Sequence, residues 1–154
     1  MAVYYLDTST LVKRYAREPG SAWVAALVDP AQGHGLYTVR VTAVELIAAL
    51  FRKARMGGIT FADAVHEAQT FRLDWQHDYL ILEVTSTVTE RAMDLAEAYG
   101  LRGYDAVHLG AALDAQATRQ AMGLPDLTFV SADTDQRQAA AAEGLPVDDP
   151  NAYP

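Results

Sequence analysis

Residues 3–15 read VYYLDTSTLVKRY. Four apolar residues, Val3–Leu6, run straight into Asp7, and a polar Thr8-Ser9-Thr10 follows. A short unbroken apolar run of this length reads as a buried strand. An acid at its end has two readings: it caps the helix that follows, or it is a ligand of a metal ion.

Working outward from that strand, the chain alternates. Ser9–Arg17 is expected as a helix, ended by Pro19-Gly20, and Ser21–Val28 as a second, closed near Pro30. Gly35–Val39 is a strand, and Thr42–Arg55 a helix stopped by Gly57-Gly58. Thr60 caps a helix that runs to about Trp75. Tyr79–Val84 is a strand. Ser86–Tyr99 is a helix with Ser86 as its cap and Gly100 as its stop. Tyr104–Met122 is another helix, Leu127–Val130 a strand, Asp133–Glu143 a helix, and Leu145–Val147 a last short strand. Strands alternating with helices predict an α/β domain with a mostly parallel sheet.

Length fits one domain over residues 1–154. Apolar residues make up 51% of the chain, enough for a packed core. Cysteine is absent, which removes disulfides and thiolate metal sites and suits a reducing compartment. No basic leader precedes Val3, and no apolar run approaches the roughly 18 residues of a membrane helix. The expectation is a soluble, cytoplasmic protein. A net charge of −8 lacks the overall basic balance usual in nucleic-acid binders. It suits a basic partner, or acids gathered around cations.

Sites in open α/β sheets form outside the carboxyl ends of the strands. Four acids are expected there. Asp7 and Asp133 each follow a strand, Asp133 in FVSADTDQ. Glu45 lies in the first turns of the helix after Gly35–Val39, in TAVELIAAL. Asp105 opens the helix in YDAVHLGAAL, which precedes a strand and so runs antiparallel to the sheet, with its start at the same rim. Each has a simpler reading: Asp7 and Asp133 as caps, Asp105 as a partner of the helix dipole, Glu45 as part of a solvated stripe with Thr42, Arg52 and Lys53. Glu45, however, has no cation three or four residues away. Like charges about 4 Å apart repel by roughly 4 kcal/mol at an effective dielectric of 20, so four packed carboxylates call for a divalent cation or for protons. All-oxygen ligation selects Mg2+ or Mn2+. Phosphodiester hydrolysis is the chemistry such a site serves.

The segments YLDTSTLVKRY, TAVELIAAL, YDAVHLGAAL and FVSADTDQ resemble, in order and spacing, the four signature segments of PIN-domain ribonucleases, and most of all the VapC-type toxins of bacterial toxin–antitoxin pairs. The late GLPVDDP segment is similar too, and the likeness covers nearly the whole chain. The resemblance implies a three-layer α/β/α domain with a central, mostly parallel sheet of four to five short strands. It implies Mg2+- or Mn2+-dependent endonucleolytic cleavage of RNA by Asp7, Glu45, Asp105 and Asp133. Ser9 matches a small polar residue beside the metal, Ser131 a hydroxyl near the fourth acid, and Asp135 is a secondary ligand. A homodimer and a small antitoxin covering the site are also implied.

Among the cations Lys13, Arg14, Arg17, Arg52, Lys53 and Arg55, Arg14 and Arg52 are the candidates for RNA phosphates. His108, one turn after Asp105, is expected to orient that carboxylate or a water, or to be a satisfied core histidine. His34, His66 and His77 show no ligand spacing, and Trp23 and Trp75 read as core or interface. A haloacid-dehalogenase-like phosphatase with Asp7 as nucleophile would want a second acid where Ser9 stands. A housekeeping RNA-processing nuclease of the same fold, without an antitoxin, remains the alternative.

Overall fold

The structure is a computed structural model describing residues 1–154. Five parallel strands form one sheet: β1 (Val3–Leu6), β2 (Gly35–Val39), β3 (Leu80–Leu82), β4 (Thr128–Val130) and β5 (Val147–Asp148). Their order across the sheet is β3-β2-β1-β4-β5. Helices α1 (Thr8–Tyr15), α2 (Ser21–Leu27), α3 (Thr42–Arg55) and α4 (Phe61–His77) connect the first three strands. Helices α5 (Ser86–Tyr99) and α6 (Gly103–Ala121) lead to β4, and α7 (Thr134–Ala142) leads to β5.

The strands sort their side chains by period two. Tyr5, Val39 and Phe129 face α5, α6 and α7. Leu6, Leu36 and Val130 face α1, α3 and α4. The two apolar clusters make the three layers α/β/α. The chain builds one way from β1 to β3, then returns to add β4 on the other side of β1, so the direction reverses between β1 and β4. Crevices at such a reversal, at the carboxyl ends of the strands, are where ligands bind in open α/β sheets. Here Asp7 leaves β1 and Ser131 leaves β4.

Several boundaries differ from the expectation. The third strand keeps only Leu80–Leu82, because its ladder with β2 ends where the Arg40 N–H donates to the Leu82 carbonyl. Glu83 instead pairs with exposed Arg40. Thr85, not Ser86, caps α5, its hydroxyl accepting from the Val88 N–H at 3.2 Å. The last strand is Val147–Asp148, since Leu145 turns into the core. Helix α1 ends at Tyr15, before an extended Ala16. Trp23 stacks flat on Tyr153, 4.4 Å between ring centroids. No helix is long and apolar enough to cross a membrane.

Candidate active site

Asp7 caps α1 and does more than cap it. It is 3% exposed. Its Oδ1 accepts from the Thr10 N–H at 2.9 Å and the Ser9 hydroxyl at 2.8 Å. Its Oδ2 accepts from the Ser131 hydroxyl at 2.7 Å. Burial still pushes the carboxyl above its ordinary range, although these donors pull the other way. The cap reading and the site reading thus coexist in one residue. Ser9 and Ser131 stand on either side of the same carboxylate, 3.5 Å apart.

Asp133 caps α7 through the Gln136 N–H at 2.8 Å and is exposed. Buried Gln136 ties this rim together: its Oε1 accepts from Ser131 at 3.0 Å and its Nε2 donates to the Asp105 carbonyl at 3.2 Å. Sequence reading passed over Gln136. Its signal is its place three residues after the capping acid, facing inward while Asp133 faces out.

Asp105 is half-buried in the first turn of α6. Its carboxyl is raised by burial first, then by the charges of Asp133, Asp7 and Glu45. Side chains from four remote segments therefore feel one another at this rim. None of the four forms an ion pair with arginine or lysine. No three acidic or histidine side chains stand close enough, as placed, to hold one metal ion together. Asp135 is exposed in the first turn of α7.

Glu45 is held elsewhere. Its Oε1 accepts from the Thr8 hydroxyl at 2.7 Å and lies 2.6 Å from His108 Nε2. Burial works to raise its pKa, but these hydrogen bonds outweigh it and hold the carboxyl below the ordinary range. His108 is thus the satisfied core histidine of the readings the sequence offered, and it serves Glu45 and not Asp105. The helix turns Nε2 toward α3, and Tyr5 takes Nδ1 at 2.9 Å.

The cation candidates divide. Lys13 is buried and meets Glu18 at 3.6 Å, and Lys53 meets the same Glu18 at 2.8 Å. Both are occupied. Arg14 is at the wrong end of the sheet: α1 starts at the carboxyl rim and runs away from it. Arg14 lines a cavity with Asp29, Asp74 and Asp78, which precede β2 and β3. Arg52 is exposed, without an ion pair, and about 10 Å beyond Glu45 along α3 at 1.5 Å per residue. Beside the acids lies a cleft of about 690 Å³, lined by Glu45, Arg102, Gly103, Tyr104, Asp105 and Val107. Arg102 is exposed at the start of α6, and Tyr104 is 59% exposed. Neither was singled out from the sequence; their place before Asp105 was the available signal.

The family profile described as PIN domain matches residues 4–142. The chain belongs to the PIN domain family. Among PIN relatives, Ribonuclease VapC45 of Mycobacterium tuberculosis (strain CDC 1551 / Oshkosh) is 33% identical over 150 residues, covering 96% of this chain and 95% of the relative. The crystal structure of PAE2754 from Pyrobaculum aerophilum superposes with a TM-score of 0.65 at 18% identity, covering 98% of this chain and 85% of that one. A toxin-antitoxin complex from Klebsiella pneumoniae gives 0.59 at 18% identity, covering 96% and 97%. These likenesses establish this PIN domain's fold and its membership among nucleases.

Proposed function

We propose that this PIN domain is an endoribonuclease dependent on Mg2+ or Mn2+, and the toxin of a toxin–antitoxin pair. The observation that carries it is the uncompensated charge at the carboxyl rim. Asp105 is raised by burial first and then by three other carboxylates, and no arginine or lysine answers any of the four. Their all-oxygen donor set fits a hard divalent cation. Asp7, Glu45, Asp105 and Asp133 would hold it, with Asp135 in a secondary place. As placed, they require side-chain movement to converge, and exposed Asp133 has the freedom for it. When bound, the ion supplies an acidified water and neutralises charge on a phosphoryl group in transfer.

The chain's own residues do the rest. Ser9, Ser131 and the Thr10 N–H fix Asp7 without cancelling its charge, so it keeps one orientation. Thr8 and His108 fix the orientation of Glu45. Arg102, in the cleft beside Glu45 and Asp105, replaces Arg14 as the phosphate contact; Arg52 serves a more distant phosphate. Exposed Tyr104 offers a flat face to an unstacked base, the way single-stranded RNA is held. That cleft lets an acidic protein bind a polyanion locally.

The relatives named as ribonuclease and as a toxin–antitoxin complex support the reading. An antitoxin fits an apolar groove of about 560 Å³ between α3 and α4, lined by Ala43, Val44, Ile47, Phe71 and Trp75. It opens beside Glu45 on the same helix. A homodimer completes the proposal, and sedimentation of the purified chain tests it. The test of activity is sequencing of RNA ends after brief expression, with Asp7→Asn as control. New ends that appear with the wild type alone support the reading; ends equal in both would reject it.

A further inference from the structure

The geometry points to His108 as the positioning residue of Glu45: Tyr5 fixes its ring so that Nε2–H is presented to that carboxylate. The inference rests on the proposal above, in which Glu45 is a ligand of the cation.

His108 is 1% exposed, on the buried face of α6. Nδ1 lies 2.9 Å from the Tyr5 hydroxyl and Nε2 lies 2.6 Å from Glu45 Oε1. An ionised carboxylate only accepts hydrogen bonds, so Nε2 carries the hydrogen. Tyr5 is wholly buried, and its hydroxyl meets Nδ1 at 2.9 Å, so the ring's orientation is set from behind. Thr8 adds a second donor to the same Oε1 at 2.7 Å. Glu45 is therefore gripped by two donors on one oxygen, which leaves Oε2 free to meet a cation.

The donors are an imidazole and a hydroxyl. An arginine in their place would neutralise the carboxylate and compete with the cation. A hydrogen bond from a fixed ring turns the group and leaves its second oxygen open. The rest of the relay is rigid. Tyr5 sits in the sheet, stacked on Phe129 at 5.3 Å between ring centroids. Partners one shell out from a metal's ligands commonly contribute 10- to 100-fold in affinity.

Mn2+ binding by calorimetry on the full chain at fixed pH tests this without reference to catalysis. His108→Ala should weaken Mn2+ by about 10-fold or more. In an E45Q background the same change should cost nothing further, because the two act as one unit. Equal affinity of H108A and wild type, tighter binding by H108A, or a loss repeated in full on E45Q would overturn the inference while leaving the cation site standing. A wild type that binds no Mn2+ would overturn both. Should H108A not fold, Tyr5→Phe removes one oxygen only, and the same calorimetry on Y5F decides. Y5F should also bind Mn2+ more weakly than wild type, with no further loss on E45Q. Equal or tighter binding by Y5F, or a loss repeated in full on E45Q, would refute it.

Discussion

Replacing Asp105 by Asn should stabilise the metal-free protein while removing its response to metal. Asp105 stands half-buried with the charges of Asp133, Asp7 and Glu45 acting on it. Partly exposed charge pairs are worth about 0.2–1 kcal/mol each, so three like-charged neighbours cost about 1–2 kcal/mol. Asn gives up the favourable interaction of an acid with the N-terminal end of α6, about 0.3–1 kcal/mol. The balance is about 1 kcal/mol in favour of Asn. For a chain of this size that is a rise of roughly 2–4 °C in melting temperature. The assay is thermal unfolding at pH 7.5 in EDTA and again in Mg2+. At 100 times its Kd, Mg2+ should stabilise the wild type by about 2.7 kcal/mol, and the D105N variant by much less. A D105N protein less stable than wild type in EDTA, or stabilised as much by Mg2+, would refute the reasoning.

Further outcomes follow from the same geometry. Asp7 and Asp105 are raised in the folded state, so metal-free folded protein binds more protons than the unfolded chain between the ordinary carboxylate range and their elevated values. Their contribution to stability therefore falls as pH rises through that window. Glu45 is lowered and acts oppositely, its contribution being lost as pH falls through its folded value. Denaturant titrations across mildly acidic to neutral pH, on wild type and D7N, should show the first trend weakened in D7N. Arg102→Gln should weaken RNA binding by catalytically inactive D7N protein and reduce its salt slope by about one phosphate contact, whereas Arg14→Gln should leave both unchanged. Gly20→Ala should destabilise strongly, because its φ is +86° and a Cβ would stand 2.2 Å from the Pro150 carbonyl oxygen; chemical denaturation measures it.

The sequence made the sheet legible where apolar runs end abruptly. Val3–Leu6 stops at Asp7, and Gly35–Val39 begins at a glycine, so both strands were read to the residue. It overran where the run outlasts the ladder, as in Tyr79–Val84. The carboxyl-rim placement of the four acids was legible because it follows from topology alone. Their partners were not. His108 and Glu45 are 63 residues apart, and Thr8 and Glu45 37 apart, with no periodic signal connecting them. Arg14 was misplaced for a related reason: charge composition does not say which end of a helix faces the site. The pairing of Lys13 and Lys53 was not legible either, because their shared partner, Glu18, sits in the loop between α1 and α2.

The most direct measurement is anomalous diffraction from crystals soaked in Mn2+. A second cluster of acids, Asp29, Asp74 and Asp78, lines a cavity at the opposite edge of the sheet and serves as an internal control. A peak within ligand distance of Asp7 and Asp105, with Glu45 or Asp133 turned toward it, is the predicted result. A well-ordered crystal with no peak at the carboxyl rim, or with manganese only at the opposite edge, would contradict the account.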